Sequence, residues 1–266
     1  MTKLSIIIPV YNEARYLRRC LDSIKKEDPD DVEIIIIDDG STDGSADILR
    51  EYEEVTRQGF DIRTVYHATN WGVAMTRNHG ITISKGDFVT FLDADDELEA
   101  DAVDHYLTGC GADFDVLQFN HRRVNTGGFS DSRYYNEPGR YDKDGELPKK
   151  WVLVWNKLFR RSFLMDHVIR FPTGLNFGED KVFVIRCLRH TDSIYHAKAS
   201  TVLKHRDNRQ SLCSLAGRNE IIRLSEALIR ELKEEENDAP LDKVIRQSLV
   251  NLWDSPRAWH VFGGES

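Results

Sequence analysis

The sequence predicts an α/β fold: a Rossmann-like, mostly parallel sheet flanked by helices, followed by a less regular region and a C-terminal helical segment. Two observations carry this. Short apolar runs without period-two alternation are separated by amphipathic helical stretches through the first hundred residues, and acidic groups follow directly on the ends of those runs. Leu4 to Ile8, ending at Pro9, is the first strand. Asn12 is expected to cap a helix whose apolar positions Leu17, Cys20, Leu21 and Ile24 share one face. Pro29-Asp30-Asp31 breaks the chain before Val32 to Ile37, the second strand. Apolar residues on both faces of both strands are what a parallel sheet covered by helices on each side requires.

Gly40-Ser41-Thr42-Asp43 is a turn leading into a helix with the stripe Ile48, Leu49, Tyr52 and Val55. Ile62 to Tyr66 is the third strand, Met75 to Ser84 a short helix, and Asp87 to Leu92 the fourth strand. Asp115 to Phe119 reads as a further strand. Asn125 to Pro148, rich in Gly, Asn, Asp and Ser, reads as a long irregular segment suited to shaping a pocket. Trp151 to Phe163 and Asp180 to His190 are expected to be helical. Ile221, Leu224, Leu228 and Leu232 give the stretch from Gly217 to Glu236 an amphipathic face.

A chain of 266 residues with 40% hydrophobic and 30% charged content can bury a full core as one large domain with appendages. No run approaches the roughly 18 apolar residues of a membrane span, and Met1-Thr2-Lys3 does not open a secretory signal. The expectation is a cytoplasmic protein, with peripheral contact at a membrane surface left open. Cys20, Cys110, Cys187 and Cys213 show no paired spacing, which argues for reduced thiols rather than a zinc site or disulfide framework. The net charge of −9 disfavours nucleic acid as a partner. Residues 1–108 carry 11 Lys and Arg against 23 Asp and Glu, whereas the remainder carries 25 against 22. An acidic half that could hold a cation and a basic half that could hold phosphate suit a metal–diphosphate ligand.

The chemistry gathers at strand ends. Glu13 follows the first strand, Asp38-Asp39 the second and Asp93-Ala94-Asp95-Asp96 the fourth. In a parallel sheet these ends share one edge, where ligands of such folds sit. Crowded carboxylates are costly unless a cation or hydrogen-bond donors compensate them. A hard divalent ion, Mg²⁺ or Mn²⁺, is the natural partner for such oxygens and would hold a diphosphate. No G-x-G-x-x-G or P-loop is present, so metal and basic side chains must handle the phosphates. Asp43 reads better as a turn or cap residue.

Ser5 to Glu13, Ile37-Asp38-Asp39-Gly40-Ser41-Thr42-Asp43, Asn70-Trp71-Gly72 with Arg77-Asn78, and Gly86-Asp87-Phe88 through Asp93-Ala94-Asp95-Asp96 resemble, in order and spacing, the family 2 glycosyltransferases of inverting type and GT-A fold, in particular non-processive bacterial polysaccharide-building members. The resemblance implies a nucleoside-diphosphate sugar donor, expected to be UDP-linked, and a glycan or lipid-linked acceptor. It implies that Asp39 accepts a hydrogen bond from the donor base, with Pro9, Tyr11, Glu13 and Asn70 around the nucleoside. Arg77 would lie near the base or diphosphate, and Asp93 near the ribose and donor sugar. Asp95 would ligate the metal, and Asp38 would support the turn.

The second half resembles the family at Trp155-Asn156-Lys157 and at Gly178-Glu179-Asp180, where Asp180 would be the catalytic base. A helix N-cap is the plain alternative for Glu179-Asp180, compatible with that role. Lys204-His205-Arg206, with Arg209 and Ser211, resembles a basic element over the diphosphate. His205 is a candidate metal ligand, and Lys157 and Arg206 are candidates for stabilising the departing diphosphate. The expected organisation is a nucleotide-sugar half at 1–108, an acceptor and base half at 109–212, and a helical extension at 213–266. The processive Q-x-x-R-W signature is absent, which favours transfer of a single sugar. A sugar nucleotidyltransferase, or a non-catalytic nucleotide- or glycan-binding module, is the alternative. The first lacks its usual Gly-rich loop after the first strand, and the intact acids weigh against the second. The sequence leaves the oligomeric state open.

Overall fold

The computed structural model describes residues 2–24, 31–56, 61–125, 128–131, 137–141, 153–175, 177–191, 193–205 and 218–233, with 245, 246 and 249. In chain order they form β1 (Leu4–Val10), α1 (Ala14–Asp22), β2 (Val32–Asp38), α2 (Ser45–Thr56), β3 (Asp61–Tyr66), α3 (Val73–Ile83), β4 (Phe88–Phe91), β5 (Glu97–Leu98) and α4 (Ala102–Cys110). Then follow β6 (Val116–Asn125), β7 (Gly128–Asp131), β8 (Gly139–Tyr141), β9 (Lys157–Arg160), α5 (Arg161–Asp166), α6 (Glu179–His190), β10 (Ile194–His205) and α7 (Arg218–Lys233).

The described strands make one sheet in the order β3-β2-β1-β4-β9-β6-β10-β5, with β7 paired to β6 and β8 to β10. β1 pairs in parallel with both β2 and β4. The strand order therefore reverses between β1 and β4, the switch point at which open α/β sheets leave a crevice for ligands. Their ladder ends at Ile7–Phe91, before β1 itself ends. Two cores explain the missing alternation. Ile7, Ile35, Ile37, Val89 and Phe91 pack with α3, α6 and α7. Leu4, Ile6, Ile8, Val10, Ile34 and Ile36 pack on the other face with α1, α2 and α4.

β9 is antiparallel to both β4 and β6, so β6 runs the same way as β4, and β10 pairs in parallel with β6. The C-terminal end of β10 thus reaches the same sheet edge as the acids after β4. Register shifts between His196 and Ser200 and between Ser200 and Val202 interrupt β10, and such bulges bend a strand and re-aim its last residues.

Several expectations are corrected. Trp151 to Phe163 is not one helix: among its described residues Lys157–Arg160 is a strand and Arg161–Asp166 a short helix. The need to bridge β4 and β6 overrides local preference there. β10, too polar to be read as a strand, spans twelve residues. The stretch read as irregular, 125–148, begins with the last residue of β6 and contains β7 and β8, while residues 126–127, 132–136 and 142–148 lie outside those described. Asn12 does not cap α1: at φ 57° it turns the chain left-handed, as Asn tolerates, and its Oδ1 accepts from Thr42 N at 2.7 Å. The helix amides need acceptors from elsewhere. Asp43 Oδ2 takes Ala14 N at 2.9 Å and Ser45 Oγ takes Glu13 N at 3.0 Å. Asp43 is thus a capping acid, as its sequence context suggested.

At the opposite end of the strands, buried Glu33 accepts from Ser5 Oγ at 2.5 Å and Gly86 N at 3.1 Å, fixing the loop that feeds β4. Cys20, Cys110 and Cys187 are unpaired thiols, while Cys213 lies outside the described residues. Among the described residues no helix is long and apolar enough to cross a membrane.

α3 seats closely on β1 because Gly80 has no side chain: a Cβ there would lie 2.4 Å from Ile7 Cγ2. Gly80→Ala gains about 1 kcal/mol of helix propensity, but the overlap with a branched core residue costs typically 1–3 kcal/mol. A lower denaturant midpoint is expected; a midpoint at or above the native value contradicts this packing.

Candidate donor and metal site

Asp93, Asp95 and Asp96 follow β4, and a carboxylate oxygen from each lies within 4.8 Å of the others. Asp96 is fully buried; its Oδ2 accepts from Lys204 Nζ at 2.5 Å and its Oδ1 from His205 N at 2.9 Å. Burial and the neighbouring Asp95 and Asp93 push its carboxyl upward, while Lys204 pulls it back. Asp93 accepts from Arg77 Nη2 at 2.9 Å and from Lys204 at 3.2 Å. Burial opposes its ionisation, but Lys204 and Arg77 prevail and hold its carboxyl below the usual range. Asp95 Oδ1 lies 4.0 Å from Lys204 Nζ, and Arg19 donates to the Asp95 carbonyl at 2.9 Å. Among the described residues this is the group of acids spaced to share a cation. Its hard oxygen donors fit Mg²⁺ or Mn²⁺.

Arg77, on α3, ties this group to the second half of the chain. Buried over the Phe171 ring, its guanidinium donates from Nη1 to Glu179 Oε1 at 2.6 Å while Nη2 holds Asp93. Burial works against its charge, and Asp93, Glu179 and Asp180 outweigh that. The adjacent Asn78 grips the same segment: its Nδ2 donates to Phe171 O at 3.0 Å and its Oδ1 accepts from Phe171 N at 2.8 Å. The Arg77-Asn78 pair therefore docks Phe171 and Glu179 onto α3, beside the acids that follow β4.

Asp180 sits in the first turn of α6, after Gly178 at φ +74°, and its Oδ1 accepts from Lys181 N at 2.8 Å. Burial and the Glu179 carboxylate push its carboxyl up to about 6, against the pull of Arg77 and Lys181. A carboxylate tuned toward neutrality is suited to general-base work.

Asp39 is buried at the end of β2 and accepts three hydrogen bonds, from His67 Nδ1 at 2.7 Å, Trp71 N at 2.9 Å and Gly72 N at 2.8 Å. A carboxylate has about four acceptor positions, so one more donor can be taken. His67 stacks on Trp71 with centroids 3.8 Å apart and meets His79 Nδ1 through Nε2 at 2.9 Å. Gly40, at φ +76°, admits the 67–72 loop: a Cβ there would lie 2.8 Å from the Thr69 carbonyl carbon. Asp38 Oδ1 accepts from Ser41 N at 3.2 Å, supporting the turn. Half-exposed Tyr11 and Trp71 flank this region, Pro9 and Glu13 are intermediate, and Asn70 is exposed.

The remaining expected residues divide. Lys157 is fully buried on β9, donates to Leu153 O and to Asn156 Oδ1 at 3.1 Å, and is pushed well below the ordinary lysine range by burial, against the charge of Asp180. His205 is not among the three acids spaced to share a cation: its Nε2 lies 2.5 Å from Glu97 Oε1, and its backbone N donates to Asp96 Oδ1 at 2.9 Å. Arg206, Arg209 and Ser211 lie outside the described residues. Sequence reasoning missed the positions of Lys204 and Glu179. The Lys204-His205-Arg206 triplet marked a basic element, but only the course of β10 puts Lys204 among the acids.

The sequence matches the model of Glycosyl transferase family 2 over residues 5–174. The putative glycosyltransferase EpsH of Bacillus subtilis is 34% identical over 204 residues, 73% of this chain and 58% of that protein. The poly(ribitol-phosphate) beta-glucosyltransferase of Bacillus spizizenii is 33% identical over 188 residues, 69% of this chain and 29% of that one. The chain thus spans little more than half of the first relative and under a third of the second. Among solved structures, S. aureus TarS 1–349 in complex with UDP-GlcNAc superposes with a TM-score of 0.79 at 21% identity, covering 95% of this chain and 72% of that one. That likeness extends the Rossmann-like sheet to the complete GT-A architecture. A family match across most of the chain, joined to that shared fold, gives its place: this chain belongs to glycosyl transferase family 2.

Proposed function

We propose that this chain transfers one sugar from a nucleoside-diphosphate donor to a hydroxyl of a glycan or lipid-linked acceptor, with inversion at the anomeric carbon. The observation that carries it is the convergence of Asp93, Asp95 and Asp96 beside the β1–β4 switch point, joined through Arg77 to Glu179 and its neighbour Asp180. In this reading residues 1–108 hold the donor, 109–212 present the acceptor and base, and 213–266 are an extension in which Arg218–Lys233 is helical. A uridine donor is favoured by the likeness to TarS, solved with UDP and with UDP-GlcNAc.

Asp95, with Asp93 beside it, would hold Mn²⁺ or Mg²⁺, which supplies positive charge to the donor diphosphate when bound. A second GT-A structure, the Pyrobaculum calidifontis mannosyltransferase with GDP-Man and Mn²⁺, is consistent with this at a TM-score of 0.66. The remaining acceptor position of Asp39 would take an N–H of the base, between Tyr11 and Trp71. Asp180 Oδ2 accepts the proton of the acceptor hydroxyl as that oxygen bonds to the anomeric carbon. The bond from that carbon to the diphosphate oxygen breaks in the same displacement, and the nucleoside diphosphate leaves with the electron pair.

Measuring UDP release from UDP-sugars, with and without Mn²⁺, tests this reading. Asp95→Ala is expected to abolish the metal-dependent rate. Asp180→Asn should keep UDP affinity while losing about 10²- to 10⁴-fold in transfer, the usual worth of a positioned base. Full metal-dependent turnover by both variants would sink the assignment. The base works deprotonated, so kcat/KM should fall about tenfold per pH unit below the Asp180 value of about 6 and level off above it. A profile flat from pH 5 to pH 7, an interval over which a change of about one decade in total is expected, removes Asp180 from that role.

A further inference from the structure

Lys204 occupies the place where a cation is wanted. Its ammonium is 2.5 Å from Asp96 Oδ2, 3.2 Å from Asp93 Oδ2 and 4.0 Å from Asp95 Oδ1, and it lies 5.4 Å from the centre of the Trp155 ring. These are the same three carboxylates whose oxygens are spaced to share a metal ion. A divalent ion cannot share that volume with an ammonium: the like charges would face each other at close range in a poorly solvated pocket. The backbone has little room to retreat, because His205 N is bonded to Asp96 Oδ1 at 2.9 Å and Leu203 pairs with Glu97. The flexible four-carbon stem of Lys204 is what can swing.

We propose that Lys204 is the resident counter-ion of the Asp93–Asp95–Asp96 group, that a divalent metal must displace it, and that the displaced ammonium pairs with the diphosphate of the nucleotide. Metal and nucleotide binding are then coupled through one side chain. Metal alone breaks three ammonium–carboxylate contacts and leaves the cation unpaired, whereas metal with nucleotide gives it a new anion. The inference rests on the sugar-transferase reading for the identity of the two ligands, and the wild-type measurement below separates the two.

The test is Mn²⁺ affinity, read as the loss of the electron paramagnetic resonance signal of the free ion, without nucleotide and with saturating UDP. The wild type should bind Mn²⁺ weakly alone and at least about tenfold more tightly with UDP, within the usual range of coupling between sites. Lys204→Gln should bind Mn²⁺ more tightly than wild type without nucleotide, and UDP should then add less. Equal or weaker binding by Lys204→Gln overturns the proposal while leaving the metal-dependent reading standing. A wild type that binds no Mn²⁺ even with UDP overturns both. Isotope-coded acetylation of lysines on the wild type gives a second readout that needs no variant. Labelling of Lys204 should rise with Mn²⁺ alone and fall again when UDP is added; labelling unmoved by Mn²⁺ that is shown to bind contradicts displacement.

Discussion

Carboxylates crowded onto one sheet edge are costly without compensating charge, and in this molecule one cation from each half of the chain supplies it. Arg77 reaches across the sheet edge to hold Asp93 and Glu179 together. Lys204 closes on Asp93 and Asp96 from the end of β10. Removing one partner of a buried ion pair strands the other charge, at typically 3–5 kcal/mol. Glu179 and the β10 terminus are therefore held beside the acids after β4 by charge as well as by packing.

The same arrangement explains how residues far apart in the chain act as one site. Arg77 and Glu179 are separated by 102 positions, and Lys204 and Asp96 by 108. The antiparallel insertion of β9 sets β6 and β10 parallel to β4, which delivers the end of β10 to the carboxyl edge. Other acids have other tasks. Glu33 at the opposite edge is consumed by Ser5 and the Lys85-Gly86 amides, and Asp43 by helix capping. Position along the strand sets Glu33 apart from the candidate ligands, whereas Asp43, just beyond the same edge as they are, is set apart by the amides it caps.

The first four strands and the acids behind them were legible in the sequence because buried parallel strands announce themselves as uninterrupted apolar runs. Asp93, Asp95, Asp39, Arg77 and Asp180 were legible through local motifs. β9 and β10 were not. Lys157 and His196 put polar groups on strands that local pattern would not call buried, yet both side chains are interior. The ring of His205 illustrates the limit: it lies against Glu97, two residues beyond the Leu203–Glu97 pair, a neighbour that the local motif does not reveal. Pairwise strand register, which a single chain does not spell out, decided these outcomes.

The central claim is that the edge after β4 is a charge-compensated site for a divalent cation and a nucleoside diphosphate. Anomalous diffraction at the manganese edge, on crystals grown with UDP and Mn²⁺, tests it most directly. The account predicts a single strong peak bonded to a carboxylate oxygen of Asp95 and to the diphosphate. UDP bound in the β1–β4 crevice with no peak, or a peak whose protein ligands exclude Asp93, Asp95 and Asp96, would contradict it.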